Sequence, residues 1–218
     1  MALVFGDNLV TRKPSYATYG IAGVCAIATI LAPMATNLQF VPFQFSLHPA
    51  LYFYTLLTAE FLHAGAPHLI GNLIFLFAFG RAIENLLGST RFAAALLGIG
   101  SFAFLGSWLI NPASTTPIVG LSGSLSVLLG AYTIIFPRSR LRIVPFLPFP
   151  WMRAWLFAAL WLALQLTHAF LFEESLAGVA YSTHIAGFAI GLVAGASWKE
   201  FALDTDRLIA QVTGEEPR

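Results

Sequence analysis

All eleven lysines and arginines of this 218-residue chain fall into four clusters, and the stretches that separate the clusters are long and apolar. Arg12 and Lys13 form the first, Arg81 and Arg91 the second. Arg138, Arg140, Arg142 and Arg153 form the third, and Lys199, Arg207 and Arg218 the fourth. A hydrocarbon layer of about 30 Å takes roughly 20 apolar residues of helix. By that measure six segments read as spans: 16–36, 67–87, 92–110, 120–136, 151–172 and 177–198. With six spans, every basic cluster lies on one side of the bilayer and the other three connections carry none. Merging or splitting any span scatters the charges over both faces, so charge supports the count independently of hydropathy. The excess of basic residues on inner loops then puts both termini in the cytoplasm.

Composition agrees. The chain is 58% hydrophobic and only 10% charged, with a mean hydropathy of +0.78, whereas soluble domains carry about 25% charged residues. A soluble enzyme, a disordered chain and a disulfide-rich secreted domain are excluded. Cys25 is the single cysteine, which rules out an intrachain disulfide and a multi-cysteine metal cluster. The net charge of +1 gives no footprint for nucleic acid. Arg12–Lys13 precede an apolar run as the start of a signal peptide would. That run is about 20 residues long and ends without a small-x-small cleavage site, so it reads as the first span.

The expected architecture is an all-α membrane protein: a compact bundle of six transmembrane helices over 16–198, with cytoplasmic tails at 1–15 and 199–218. The first outer loop, 37–66, is long and aromatic, with Phe40, Phe43, Phe45, Tyr52, Phe53, Tyr54 and Phe61. Such a loop belongs at headgroup level, with one or two short helices expected over 49–62. No internal repeat suggests the inverted halves of a transporter. His48, His63, His68, His168 and His184 all fall in the outer half. Of these, His48, His63 and His168 read as interface residues. Glu60 and the Glu173–Glu174 pair read as solvated outer face, Glu84 as an ion pair with Arg81 or Arg91, and Pro145, Pro148 and Pro150 as a rigid inner connection.

Polar groups inside a membrane helix are costly and tend to face a bundle interior or a cavity, and three clusters meet that description. His68 and Asn72 stand at i and i+4, on one face of span two. Gly120-Leu121-Ser122-Gly123 opens span four after the irregular stretch 111–119. His184 starts a row of small residues at Gly187, Gly191 and Gly195 on span six. From Ser122 to Pro137, and from His184 to Lys199, the helical rise is the same, about 22 Å. The serine and the imidazole therefore lie at matched depth. Small-xxx-small faces let helices approach closely, and close contact of spans four and six brings the Ser122 hydroxyl to the His184 ring. That pairing is an activated nucleophile with its general base. His68, Asn72 and the Ser122 amide then offer N–H donors for an oxyanion.

These three motifs, His68-x-x-x-Asn72, Gly120-x-Ser122-Gly123 and His184-x-x-Gly187-x-x-x-Gly191, resemble those of the rhomboid intramembrane serine proteases. Their order and their helices match, over about residues 16–198. The resemblance implies a Ser122–His184 dyad without a third acidic member, an oxyanion hole from His68 and Asn72, and no cofactor or metal. It also implies substrates that are transmembrane segments of other membrane proteins. Gly120, Gly123, Gly187, Gly191 and Tyr181 are expected to shape the site. Four positions differ from common family residues: Tyr54-Thr55 replaces a Trp-Arg pair, Ser126 a tyrosine one turn beyond the nucleophile, and Thr183 an alanine. The resemblance further suggests a bacterial inner membrane, with the site open to the outer side. A non-proteolytic binder of transmembrane helices on the same fold stays open as an alternative and, less readily, a small transporter. A zinc protease is disfavoured by the lack of His-Glu-x-x-His, and an aspartyl protease by the lack of Asp in any span.

Overall fold

The computed structural model describes residues 3–7, 9, 14–31, 36–144, 151–171 and 179–213, with 3–7, 143–144 and 201–213 described as backbone. Arg12, Lys13, Pro145, Pro148, Pro150, Glu173, Glu174 and Arg218 lie outside those residues. Helix α1 (Tyr16–Leu31) buries Thr18, Ile21, Ala22 and Cys25 against the bundle. Its other face is apolar too, with Tyr16, Tyr19, Val24, Ile27, Ile30 and Leu31 exposed. A helix that is apolar all round while half exposed has no use for water on that exposed face.

Four short turns follow: a 3-10 turn at Thr36–Leu38, then α2 (Pro42–Leu47), α3 (Pro49–Tyr52) and α4 (Thr55–Thr58), each of α2 and α3 opened by a proline. They cover a small core of Phe40, Phe45, Leu56, Ala59 and Phe104. The next span runs from Ala66 to Leu87 as α5 (Ala66–Phe75), a π-helical turn (Leu76–Gly80) and α6 (Arg81–Leu87). Gly88, at φ +79°, breaks it. Helices α7 (Ser89–Gly100) and α8 (Phe104–Ile110), joined by a 3-10 turn, return the chain. Helix α9 (Ser122–Ile135) is the hub, buried at every position from Gly123 to Tyr132. Helices α10 (Ala154–Leu171) and α11 (Tyr181–Thr213) complete the bundle. Among the described residues, three helical stretches are long and apolar enough to cross a membrane: Ala66–Leu87, Ser89–Ile110 and Ala154–Leu171. α1 and α9 are shorter apolar helices.

The chain is mostly helical rather than wholly so. Strands β1 (Leu3–Asp7), β2 (Arg140–Val144) and β3 (Trp151–Arg153) form an antiparallel sheet in the order β1-β2-β3, with Leu3 opposite Val144 and Leu141 opposite Met152. The sequence Arg-Leu-Arg-Ile-Val alternates with the period of a strand: Leu141 is buried while Arg140 and Arg142 are exposed. Residues 1–15 therefore include a paired strand, and the last helix continues past Trp198 to Thr213.

Glu84 holds main-chain and hydroxyl partners at the cytoplasm-side end expected of it. Its carboxylate, nearly inaccessible, accepts from the Ala17 and Thr18 amides (both 2.9 Å), the Thr18 hydroxyl (2.7 Å) and the Ser89 hydroxyl (2.5 Å). It satisfies two of the orphan N–H groups at the start of α1 and clamps three helices together at that end.

α9 and α11 meet along glycines. A Cβ on Gly191 would lie 2.1 Å from the Val127 carbonyl oxygen, one on Gly187 2.5 Å from that of Gly123, and one on Gly195 2.6 Å from the Ala131 Cα. From the other helix, a Cβ on Gly130 would lie 2.4 Å from the Phe188 carbonyl. Backbone touches backbone along this seam, which larger residues would prevent.

Candidate active site

The seam fixes two side chains near its upper end. Ser122 is the first residue of α9, so its amide lies among the N–H groups that no helical carbonyl serves. His184 stands one turn into α11. Ser122 Oγ lies 2.8 Å from His184 Nε2, and both residues are partly buried. On the far side of the ring, His184 Nδ1 lies 2.8 Å from Gln165 Oε1 on α10. An amide oxygen only accepts, so Nδ1 carries the proton and Nε2 presents its lone pair to the hydroxyl.

The loop ahead of Ser122 is held in the bundle by main-chain bonds. Phe40 and Ile118 exchange both of theirs, Ser114 O accepts from Phe43 N–H (2.9 Å), and Gly120 N–H donates to Ala59 O (2.9 Å). Gly120 takes φ +115°. A Cβ there would lie 2.7 Å from His68 Cε1, 2.8 Å from His68 Nε2 and 3.3 Å from Asn72 Nδ2. Only glycine supplies both that φ and that close approach. His68 and Asn72 thus flank the backbone that leads into Ser122. His68 Nδ1 accepts from the Ala64 amide (3.3 Å), which leaves the proton on Nε2, the nitrogen facing Gly120. Asn72 Nδ2 is buried and has no hydrogen-bond partner among the described residues. Two side-chain N–H donors therefore border the serine's approach.

The remaining expected residues fall around this pair. A Cβ on Gly123 would meet the Thr183 methyl at 2.9 Å and Ala103 at 3.0 Å, so Gly123 and Gly187 admit the close packing just below the serine. Tyr181 presents its ring to His184 at 6.5 Å between centroids, at 87°, and to His168 at 5.3 Å. Trp161 of α10 lies 6.1 Å from the imidazole and 5.8 Å from Phe188. Ser126 donates to the Ser122 carbonyl (2.7 Å). Ser107 of α8 bonds both Ser182 (2.6 Å) and Thr183 (2.7 Å), tying the first turn of α11 to a third helix. His48 is exposed, and His168 Nδ1 bonds the Leu164 carbonyl.

Two readings of the sequence are corrected here. His63 is not an interface residue: it is buried, with its ring edge-on to His68 at 5.1 Å. Burial first, and the neighbouring His68 second, push its pKa down to about 4. Glu60 is not solvated. Its side chain is fully buried at the end of the long loop, 2.7 Å from the hydroxyls of Ser101 and Ser124. Burial pushes its pKa up to about 8, against the opposing pull of those two hydrogen bonds. Ser101 and Ser124 are the sequence signal for this burial, since each is a hydroxyl on an otherwise apolar helix and needs a polar partner. Gln165 carries a similar signal, as a lone amide within an apolar span.

An apolar helical bundle with a hydroxyl–imidazole pair beside two amide-type donors defines an integral membrane protein built around a polar site. The chain belongs to the rhomboid family, whose Rhomboid domain model matches residues 50–200. It is 36% identical over 77 residues to the putative rhomboid protease YdcA of Bacillus subtilis (strain 168), covering 35% of this chain and 38% of that protein. It is 32% identical over 116 residues to Rhomboid-like protein 11, chloroplastic, of Arabidopsis thaliana, covering 52% and 41% respectively. Rhomboid protease GluP of Bacillus subtilis (strain 168) matches at 35% over 85 residues, 39% of this chain and 16% of that protein. The chain thus spans less than half the length of each of these relatives.

Proposed function

We propose that this protein is an intramembrane serine endopeptidase that hydrolyses peptide bonds in or near transmembrane segments of other membrane proteins. The observation that carries this reading is the 2.8 Å contact of Ser122 Oγ with the lone-pair nitrogen of His184. His184 takes the hydroxyl proton on Nε2 as Oγ attacks the scissile carbonyl carbon. The carbonyl oxygen gains negative charge between His68 Nε2–H, Asn72 Nδ2–H and the Ser122 amide, at the positive end of α9. As the tetrahedral intermediate collapses, the C–N bond breaks and Nε2 gives its proton to the leaving amine. Water then repeats the cycle on the acyl-enzyme, regenerating Ser122. No step needs a metal ion or a cofactor.

The six-span reading supports both termini and the sheet on the basic, cytoplasmic side, 16–198 as the transmembrane protease domain, and a site near the outer leaflet of a bacterial inner membrane. The site and the sheet lie at opposite ends of α9, as that topology requires. Substrates are membrane proteins whose helices reach the site from lipid.

The test is cleavage of a transmembrane substrate in liposomes, together with labelling by a fluorophosphonate. Ser122→Ala and His184→Ala, folded as judged by helical circular dichroism, should lose both signals. Undiminished cleavage by Ser122→Ala would overturn the reading.

A further inference from the structure

We propose that Gln165 is the positioning residue of the dyad: its side-chain oxygen accepts the Nδ1 proton of His184 and so keeps the Nε2 lone pair turned toward Ser122. The inference rests on the Ser122–His184 reading and adds a member to it from a third helix. A neutral imidazole has one N–H and one lone pair, and free in solution it exchanges between two tautomers. Only the tautomer with a bare Nε2 can take the serine proton. The second partner of the ring decides which tautomer is populated, and here that partner is Gln165 Oε1 at 2.8 Å.

The amide could in principle present its NH2 group instead. Nδ1 would then have to accept, Nε2 would carry the proton, and Ser122 Oγ at 2.8 Å would accept from it, leaving the ring without a base toward the serine. The oxygen-facing arrangement is the one in which Nε2 can take the serine proton, which the dyad reading requires. The surroundings hold that arrangement. Leu164 and Leu166 on either side of Gln165 are exposed, while Gln165 turns inward. Trp161, one turn earlier on the same face, lies against the imidazole, and the Tyr181 ring meets it edge-on. Two aromatic rings thus neighbour the imidazole, and Nδ1 is directed at α10. No described carboxylate bonds either ring nitrogen, so an uncharged dipole does the orienting that an acid does in a three-member serine site. When Nε2 is protonated in the cycle, the Nδ1–H bond persists and becomes charge-assisted, which stabilises the imidazolium without a proton leaving it.

The experiment compares Gln165→Leu, of nearly the same size, and Gln165→Glu, which keeps an acceptor oxygen at the same reach, with the wild-type full chain. Gln165→Leu should lower kcat by about 10- to 100-fold with KM within about twofold, part of the 10²–10⁴ supplied by a positioned base. Gln165→Glu should recover most of the lost rate. Nitrogen-15 NMR of histidine-labelled protein in micelles should show His184 as a single tautomer with Nδ1–H in the wild type and as a mixture in Gln165→Leu. A Gln165→Leu protein with wild-type kcat, or with an unchanged His184 tautomer, would overturn the inference. If Gln165→Leu fails to fold, the wild-type spectrum decides alone, because an Nε2–H tautomer refutes the proposal. Failure of the dyad reading itself would appear separately, as retained cleavage by Ser122→Ala.

Discussion

Replacing Gly191 by alanine tests whether the glycine seam sets the reacting distance. In an unconstrained helix the change is favourable, worth about 0.5–1 kcal/mol from reduced backbone entropy. At this position the new methyl carbon would sit 2.1 Å from the Val127 carbonyl oxygen and 2.8 Å from the Val127 Cα. The obstacle is backbone and cannot rotate aside. Reaching even a tight 3.0 Å requires α11 to move off α9 by about 0.9 Å at that level, and overpacking of this kind costs about 1–3 kcal/mol. Gly191 lies seven residues from His184, about 10 Å along the helix, so a rigid displacement is felt at the imidazole. Opening the 2.8 Å Oγ–Nε2 contact by the same amount leaves about 3.7 Å, no longer a hydrogen bond. A 1 Å misplacement costs about 10²-fold in rate. Gly191→Ala should therefore lose about 100-fold in kcat and unfold at lower SDS mole fraction in mixed micelles. Gly23 is the control: its Cβ would meet nothing within 4 Å, so Gly23→Ala should keep full activity and at least wild-type stability. Wild-type kcat in Gly191→Ala would refute the proposed link between seam and site.

Asn72→Ala should leave a residual turnover about 10²–10³-fold below wild type, since one oxyanion donor is lost while the dyad stays; complete inactivity of a folded protein would argue against that role. Glu60 is neutral when folded below about pH 8 and ionises near its ordinary value of 4.5 once unfolded. The folded state then holds the extra proton, so this group's contribution to stability is greatest at the acid end and declines as pH rises through about 8. The slope is at most about 1.4 kcal/mol per pH unit. Glu60→Gln should flatten the difference in melting temperature between pH 5 and pH 8, whereas His63, with its lowered pKa, acts in the opposite sense below pH 6.5 in both proteins. Equal slopes in the two would sink the assignment. Glu84→Ala strands four hydrogen-bond donors and should destabilise the bundle by about 3 kcal/mol or more in the same SDS titration, with no effect on fluorophosphonate labelling of the fraction that stays folded. EDTA should leave cleavage unchanged; inhibition reversed by added zinc would point to a different chemistry.

Much of this architecture was legible because membrane helices announce themselves through long uncharged runs, and because His68, Asn72, Ser122 and His184 are polar groups where polarity is costly. What escaped did so for identifiable reasons. The alternation Arg140-Leu141-Arg142-Ile143 carries the period of a strand, but four residues are too few to separate it from a basic inner loop. Glu60 lies in a loop, where a carboxylate is ordinarily solvated, and its two serine partners are 41 and 64 residues away in sequence. Gln165 is a single amide in an apolar helix, without a neighbouring motif to draw attention to it. The π-helical turn at Leu76–Gly80 changes neither composition nor hydropathy and so leaves no trace in either.

The pairing of β1 with β2 constrains the order in which the molecule can be assembled. Leu3–Asp7 leaves the ribosome well before its hydrogen-bonding partner, Arg140–Val144, which is made only after α9 has been synthesised. Until then the strand has both edges open, a state prone to pairing with foreign chains. Stalled translation products that end before residue 140 should accordingly be the aggregation-prone species, and closing the sheet is a late event that records successful insertion of everything between.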